Sequence, residues 1–349
     1  MGKPKGIDLN TGQVIVHPPK EPGESKLDHP KSSHREWIKL ALRISILSLA
    51  ILFFGLAIRH AAMELARSEI SLNWSSVRWG YLGVSVLFGM IAMVPPFFGW
   101  HAILKDFGQN IPWPVTIYAY FLGHLGKYVP GKAMAVLLRV AELQRHKGSM
   151  SAGGLSVFVE TLIGFASGGI LGALILQYLD FPNWLRWSAL LGIPLAGLSL
   201  SPYSYRWIIG PIRRTRIGKS MDTFIGAIST RLLFRTAAWA WVGWMFQGTA
   251  LWFVLLSLAD VYPALSANLS SGHVWLVCVS SMSLGGLAGF LSMLPGGALA
   301  RELASTGVLA SIIPQPIALI ATVLVRVTSM AAELLMILLS RGIKLFTKH

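Results

Sequence analysis

The chain has 349 residues, of which 54% are hydrophobic and only 13% are charged, and its mean hydropathy is +0.59. A soluble domain carries roughly 25% charged residues, so this composition excludes a water-soluble globular protein and predicts an integral membrane protein. The net charge of +15 does not indicate nucleic-acid binding, because the basic residues fall between apolar runs, as in loops on the cytoplasmic side of a membrane. The single cysteine, Cys278, excludes an intramolecular disulfide bond.

The chain divides into a polar tail and one membrane domain. Residues 1–36 are polar and rich in proline, which predicts a disordered cytoplasmic tail, and residues 37–345 are predicted to form one polytopic transmembrane domain. We find no cleavable signal peptide and expect the first apolar run to act as an uncleaved anchor. Seven runs are long enough to span a membrane, at roughly 38–58, 80–104, 151–179, 184–204, 237–259, 273–294 and 315–340.

Two of these runs have special features. Pro95 and Pro96 interrupt the run at 80–104 and predict a kink, because proline removes a backbone donor. The run at 151–179 is longer than one span requires, so we expect it to tilt or break.

Loop charge predicts the orientation of the spans. The segment 205–235 carries seven Lys and Arg residues against one acid, Asp222, whereas 260–272 carries no Lys or Arg. By the positive-inside rule the first is cytoplasmic and the second external, which places the N-terminus in the cytoplasm if the first four spans cross in turn. The lack of a cleaved signal and the anchor-like first span favour the cell (inner) membrane. The side of the C-terminus stays open. Seven spans place it outside, whereas three basic residues after 340 favour the inside, and an eighth crossing near 114–130 or 295–312 would reconcile them.

Two shorter apolar segments, at 114–142 and 295–312, are each interrupted by a Pro-Gly pair and by charged residues. Irregular backbone at membrane depth is tolerated only where protein buries it or where it lines a cavity, so both are predicted to be re-entrant. Pro130 precedes Glu160 by 30 residues and Pro295 precedes Arg326 by 31. This echo favours an internal repeat around a central site, and chance similarity is the alternative. The predicted fold is therefore an all-α bundle of 7–8 transmembrane helices with two re-entrant segments.

Three charged residues, Glu160, Arg326 and Glu333, fall inside strongly apolar runs. An ionised group in hydrocarbon costs at least ~2.5–3.5 kcal/mol, so such groups are usually paired, cavity-facing and functional. The alternative is an ion pair that only fixes helix packing. Helical spacing separates Arg326 and Glu333 by two turns, about 10 Å, so we expect Arg326 to find its partner on another helix, either Glu160 or Glu302.

The two breaks carry cations that could hold an anion. Lys127 and Lys132 flank the first break, and Arg301 follows the second. The start of a helix attracts anions through its free N–H groups, so these residues predict a phosphate-headgroup site. The alternatives are lysines that snorkel to the interface and neutralisation of Arg301 by Glu302. We find no phosphate-binding loop of the Walker type, nucleophile elbow or zinc signature, so no cofactor and no metal are expected.

Both breaks resemble motifs of the lysylphosphatidylglycerol synthase transmembrane region family, also called flippase-like domain proteins. The first is Gly126-Lys127-Tyr128-Val129-Pro130-Gly131-Lys132, similar to the family's Lys-Tyr-hydrophobic-Pro-Gly-Lys element. The second is Leu294-Pro295-Gly296-Gly297 with Arg301-Glu302, although Leu299 and Ala300 occupy the stretch where a glycine is usual. Glu160 matches the acid of a Glu-Arg element but is followed by Thr161, and Arg326 matches a lone arginine in the last long span. The resemblance covers roughly residues 40–340.

The resemblance implies a helix bundle with re-entrant segments that moves lipids, or lipid-linked groups, between leaflets. The fused synthases of this family add a cytosolic aminoacyl-transferase domain. We find no such domain in this sequence, so the synthase reaction is not expected.

The leading hypothesis is transbilayer movement of an anionic lipid or lipid-linked group through a polar groove. The phosphate would be held by four cations, Lys127, Lys132, Arg301 and Arg326. Glu160 would pair with a basic group of the protein or with an aminoacyl or amino-sugar cation of the substrate. The alternatives are a membrane-embedded transferase or accessory subunit acting on a lipid-linked sugar, and a non-catalytic envelope scaffold. Expected partners are membrane lipids with anionic headgroups and either a second copy of the chain or an envelope-synthesis protein. The candidate substrate-binding residues are Lys127, Tyr128, Pro130, Gly131, Lys132, Glu160, Pro295, Gly296, Gly297, Arg301, Glu302, Arg326 and Glu333.

Overall fold

The computed structural model describes residues 74–128, 133–212, 215–262, 271–297 and 299–346, together with residues 59 and 63. Every regular element in these ranges is a helix, so the all-α prediction is confirmed for the described part. Within the described residues, five segments are long and apolar enough to cross a membrane, namely Trp79–Asp106, Met150–Leu176, Thr230–Ser257, Gly272–Leu291 and Gln315–Phe346. The predicted tail at 1–36 and the predicted span at 38–58 lie outside the described residues.

The α-helices follow one another with short connections. In chain order they are α1 (Trp79–Ala92), α2 (Val94–Asp106), α3 (Trp113–Leu125), α4 (Ala133–Gln144), α5 (Met150–Leu176), α6 (Asn183–Gly197), α7 (Pro202–Ile209), α8 (Arg216–Ile225), α9 (Thr230–Ser257), α10 (Gly272–Leu291), α11 (Ala300–Leu309) and α12 (Gln315–Phe346). Single 3-10 turns lie at Trp74–Ser76, Gly126–Tyr128, Leu198–Leu200, Gly210–Ile212 and Pro295–Gly297.

Several helix boundaries follow directly from the sequence. Ser149, Ser229 and Ser271 precede α5, α9 and α10, and each side chain accepts a hydrogen bond from an N–H of the first turn, which satisfies a donor that the helix leaves free. The predicted proline kink is present as a break at Met93, where α1 ends and α2 begins. The predicted break in 151–179 is absent, because α5 is continuous over 27 residues.

The predicted span at 184–204 differs from a single long helix. It folds as α6, of only 15 residues, followed by the 3-10 turn at Leu198–Leu200 and then by α7. Pro194 lies inside α6, and Pro202 begins α7. The expectation of seven simple spans is therefore not confirmed.

The apolar cores mark two opposite ends of the bundle. At one end, Leu176, Leu258 and Leu309, from the ends of α5, α9 and α11, pack together. At the other, Ile103 near the end of α2 packs with Leu232 at the start of α9 and with residues of α5, α7 and α8. We call the second the basic end, because the cation-rich segment 205–235 lies there.

Glycine allows the central helices to approach closely. The indole of Trp244 on α9 lies between Gly168 of α5 and Gly286 of α10, and its Nε1–H donates to Gly164 O at 3.0 Å. A Cβ at Gly168 would lie 2.5 Å from Trp244 Nε1, and one at Gly286 would lie 2.3 Å from the ring. Small residues at such contacts are the usual means of close helix packing in membranes.

Two pairs of helices form hairpins around the Pro-Gly breaks. The first hairpin is α3 and α4, joined through residues 126–132, and the second is α10 and α11, joined through residues 292–299. Both helices of the first pair have their outer ends at the basic end, since Ile111 just before α3 and Leu143 of α4 both lie against Gly148, just before α5. The second pair has its outer ends at the opposite end, where Val277 and Leu309 share one core. The tips meet, because a Cβ at Gly296 would lie 3.2 Å from the Tyr128 ring.

Candidate functional site

A cluster of charged groups surrounds the meeting point of the two hairpins. α12 passes beside both tips and presents Arg326 and Glu333 to them, and the rest come from the 3-10 turns Gly126–Tyr128 and Pro295–Gly297 and from α11. We call this set the central cluster. Its members are Lys127, Tyr128, Gly296, Arg301, Glu302, Arg326 and Glu333.

Glu333 ties α12 to the first hairpin. One carboxylate oxygen, Oε1, accepts a hydrogen bond from Lys127 Nζ in a short ion pair. The other, Oε2, accepts a hydrogen bond from the Tyr128 hydroxyl at 2.9 Å. The side chain of Glu333 is only 10% exposed, so both of its oxygens are compensated inside the protein, as a buried charge requires.

Arg326 ties α12 to the second hairpin. Its Nη2 donates to the carbonyl oxygen of Gly296 at 2.8 Å, and its Nη1 lies 3.8 Å from Glu302 Oε1. The guanidinium also lies 5.8 Å from the centre of the Tyr128 ring, within cation–π range. Of the two partners expected for Arg326, Glu302 is therefore correct.

The glycine at the second tip is required by this contact. Gly296 has φ +60°, and a Cβ there would lie 2.6 Å from Arg326 Nη2. Gly297, with φ +69°, is required by a different contact, since a Cβ added there would lie 2.7 Å from Gly289 Cα on α10. Gly296 thus admits the cation to its carbonyl, whereas Gly297 allows the tip to pack on its own hairpin.

Two groups of the central cluster are left incompletely paired by the described residues. Glu302 Oε2 is buried and has no hydrogen-bond partner among them. Arg301, the preceding residue, has no ion pair with a described residue, although Arg326 lies close enough to repel it and Glu302 to attract it. Three cations against two carboxylates leave the described cluster with an excess of one positive charge.

Glu160 lies in a second cluster, away from Arg326. Its Oε2 accepts from Arg139 Nη1 at 2.9 Å, so the prediction that Glu160 could pair with Arg326 is wrong. The Arg139 guanidinium lies 4.3 Å from the Tyr120 ring centre and 5.1 Å from that of Trp100, whose Nε1–H donates to Ser156 Oγ. We call this the Arg139 cluster, and it joins α2, α3, α4 and α5.

A third group of charges fixes the last turns of α12. Glu142 on α4 is 1% exposed and pairs with Lys344, with Arg145 at 3.2 Å and with His146 at 3.9 Å. Since α4 ends at the basic end, Lys344 brings the end of α12 there too. Sequence reasoning missed Arg139 and Glu142, because the stretch around them alternates charges as an exposed helix does. The signal that could have found them is the spacing of Val136, Val140 and Leu143 by four and three residues, which marks a buried face of α4 beside Arg139 and Glu142.

Some predicted site residues cannot be placed. Pro130, Gly131 and Lys132 lie outside the described residues, and only the backbone of Pro295 is described. The other predicted residues fall in the central cluster, apart from Glu160 and Gly297.

The comparisons with known proteins add one finding. A family model described as the lysylphosphatidylglycerol synthase TM region matches residues 40–336. No curated protein matches the chain, and no solved structure matches it. With five apolar helices of spanning length, this match makes the chain a multi-pass membrane protein with a role connected to membrane lipids.

Proposed function

Because the chain belongs to the lysylphosphatidylglycerol synthase TM region family, we propose that it moves an anionic lipid, or a lipid-linked group, between the two leaflets. The observation that carries the proposal is the central cluster, in which two hairpins from opposite ends meet beside an arginine and leave one cationic side chain without an ion pair to a described residue.

The hairpins act as re-entrant segments in this proposal. Each starts at one end of the bundle, reverses between its two helices and returns to the same end, so the two tips come together inside the membrane. Broken helices at mid-depth are typical of the binding sites of transporters. The basic end faces the cytoplasm of the cell membrane, with the end of α12 on that side. In this scheme α6 and the turn after it cross the membrane as well.

The charges favour a phosphodiester as the bound group. The excess of one positive charge in the described cluster matches the single negative charge of a phosphodiester. The complex would therefore be neutral, which lowers the free-energy cost of burying it in a medium of low dielectric. Arg301 offers a planar fork of donors that suits phosphate oxygens. Glu302 Oε2, buried without a partner among the described residues, would accept a hydrogen bond from a hydroxyl of the headgroup.

A polar path along α12 connects the site with the basic end. Arg326, Glu333 and Lys344 are spaced by 7 and 11 residues, which places them on one face of the helix. Eighteen residues at 1.5 Å each separate the first from the last, about 27 Å along the helix axis. A headgroup would exchange along these charges while its acyl chains stay in the lipid.

Release of Lys127 is the step that the bound phosphate would drive. In the described state Lys127 is held by Glu333, and Tyr128 shares the same carboxylate. A phosphate beside Arg301 competes for Lys127, and Tyr128 can retain Glu333 when the lysine leaves. This exchange keeps both Lys127 and Glu333 hydrogen-bonded, which limits the cost of separating the two buried charges.

The test is the leaflet-to-leaflet movement of labelled anionic and zwitterionic phospholipids in proteoliposomes. We expect wild type and Lys105→Ala, which removes an exposed cation at the end of α2, to move the anionic lipid quickly. Lys127→Ala and Arg326→Ala should be slow. Absence of movement by folded wild-type protein would reject the proposal. A covalently changed lipid in the mass spectrum would then support the transferase, and an unchanged lipid the scaffold.

A further inference from the structure

Helix α7 is fixed to the bundle by one face and leaves the other uncovered. Tyr205 and Ile209 are buried in the core of the basic end, and the Tyr205 hydroxyl donates to Ser199 O at 2.8 Å. On the opposite side Tyr203 is 75% exposed and Trp207 is 82% exposed, with Arg206 between them. The buried side chains therefore fix the orientation of α7, so that Tyr203 and Trp207 stay on its exposed face.

An open cleft lies at the C-terminal end of this helix. It has a volume of about 560 Å³ and is lined by Arg206, Trp207, Ile208, Gly210 and Pro211. The lining combines one guanidinium with an indole and apolar groups, so the cleft suits a ligand that carries both an anion and an apolar part.

The surroundings of the cleft favour an anion. The segment 205–235 carries seven cations against one acid. Arg235 is partly neutralised by Asp106 at 3.4 Å, whereas Arg206 has no ion pair with a described residue and lies 5.8 Å from the centre of the Tyr203 ring. Each cation near the surface of an anionic leaflet contributes about 1 kcal/mol of attraction to that surface. The exposed Lys219 of α8 adds a further cation near the cleft.

The apolar surface leading to the cleft favours a lipid over a soluble anion. α6, which precedes α7, has no buried residue. Its large exposed apolar side chains, together with the first residue of the turn that follows, recur every three or four residues and form one stripe, at Trp184, Trp187, Leu191, Leu195 and Leu198. Exposed Trp and Tyr rings are typical of the membrane–water interface, which is where a phospholipid places its phosphate.

We propose that the α7 cleft is a second lipid site, which holds the phosphate of an anionic phospholipid on Arg206 and Trp207 while the acyl chains lie along the stripe of α6. The site is separate from the central cluster, and it does not depend on lipid movement. Its occupant is a lipid resident at the surface of the basic end.

The experiment is lipid binding to the full chain in detergent, measured by native mass spectrometry and by thermal shift. The ligands are phosphatidylglycerol, phosphatidylcholine and soluble glycerol 3-phosphate. Arg206→Gln is compared with Lys105→Gln, which removes an exposed cation from the same end but outside the cleft. We expect Arg206→Gln to weaken phosphatidylglycerol binding by about tenfold, through loss of a charge-assisted hydrogen bond, and Lys105→Gln to change it less than about twofold.

Three results would overturn the proposal. Equal losses in the two variants would show a diffuse charge effect, equal binding of the two phospholipids would exclude the anion, and equal binding of glycerol 3-phosphate would exclude the lipid. Unchanged thermal stability of Arg206→Gln without lipid checks that the variant is folded.

Discussion

The two hairpins are built alike but contribute different chemistry to the site. The first supplies side chains from its tip, since Lys127 and Tyr128 both bind Glu333. The second supplies backbone, since Gly296 offers its carbonyl to Arg326. The backbone differs as well. The described residues of the first tip, Gly126–Tyr128, have negative φ, whereas Met293, Gly296, Gly297 and Leu299 around the second tip have positive φ.

The difference shows how one helix can be held from both sides without fixing the site permanently. Ion pairs to long side chains can exchange when a competing anion arrives. A carbonyl on a strained tip cannot follow the cation and so acts as a fixed point. The first hairpin is therefore the movable partner of α12 in our proposal, and the second is its anchor.

The largest effect is expected from Arg326→Ala, which removes the link between α12 and the second tip. Glu302 and the Gly296 carbonyl would lose their cation inside the protein, and such a loss costs about 3–5 kcal/mol. We expect the apparent melting temperature in detergent to fall and anionic lipid movement to be abolished. Arg326→Lys should recover part of both, because it keeps the charge but not the fork. Wild-type activity in both variants would remove Arg326 from the mechanism.

A smaller effect should follow Gly296→Ala, which tests the close approach at the tip. The new methyl group would crowd Arg326 Nη2 and require a positive φ, at a cost of about 2–4 kcal/mol. The matched control is Gly307→Ala in α11, where nothing lies within 4 Å of the added Cβ; there we expect a gain of up to ~1 kcal/mol from helix propensity. Chemical unfolding of both variants measures the contrast, and equal stability would argue against the anchor.

Leu299→Gly should stabilise the protein slightly. Leu299 has φ +68° and ψ −53° at the start of α11 and is 38% exposed. Relief of about 1–3 kcal/mol of strain exceeds the ~0.5–1 kcal/mol that a glycine costs, so the net gain is about 1 kcal/mol. The readout is the unfolding free energy in detergent, and a clear loss of stability would show that the leucine side chain matters more than its backbone.

The smallest effect concerns pH at the end opposite the basic one. The hydrogen bond from Arg78 and its charge lower the pKa of Asp260 below its ordinary value of 3.8. A depressed pKa gives stability that is present above that value and is lost as pH falls through the folded-state pKa. Both side chains are about half exposed, so the effect should be slight. The melting temperatures of wild type and Asp260→Asn should converge below pH 3.8, and a constant difference down to pH 2 would contradict this.

The sequence predicts the buried charges better than their partners. Arg326 and Glu333 stand out because each interrupts an apolar run, and both prove to be buried. Their partners Glu302 and Lys127 lie 24 and 206 residues away. Pairing at such separations depends on which helices pack together, and composition and periodicity carry no information about that.

The Arg139 cluster contains a buried charge that the sequence does not reveal. Glu160 is found as an acid in an apolar run, but Arg139 lies among other charges and looks solvent-exposed. Packing of α4 between α3 and α5 buries it against Tyr120 and Trp100. The prediction of a single spanning helix at 184–204 is wrong for a local reason. The run is apolar enough to span, but Pro194 and Pro202 divide it.

Arg301 offers the most direct test of the phosphate site, because replacing it breaks no ion pair with a described residue. Arg301→Gln removes the charge while leaving Lys127, Glu302, Arg326 and Glu333 in place. In proteoliposomes we expect it to slow movement of the anionic lipid by about tenfold, because it removes a charge-assisted hydrogen bond. Movement of the zwitterionic lipid and the melting temperature should not change. The control, Lys105→Gln, should behave as wild type. Unchanged movement of the anionic lipid by folded Arg301→Gln protein would contradict the account.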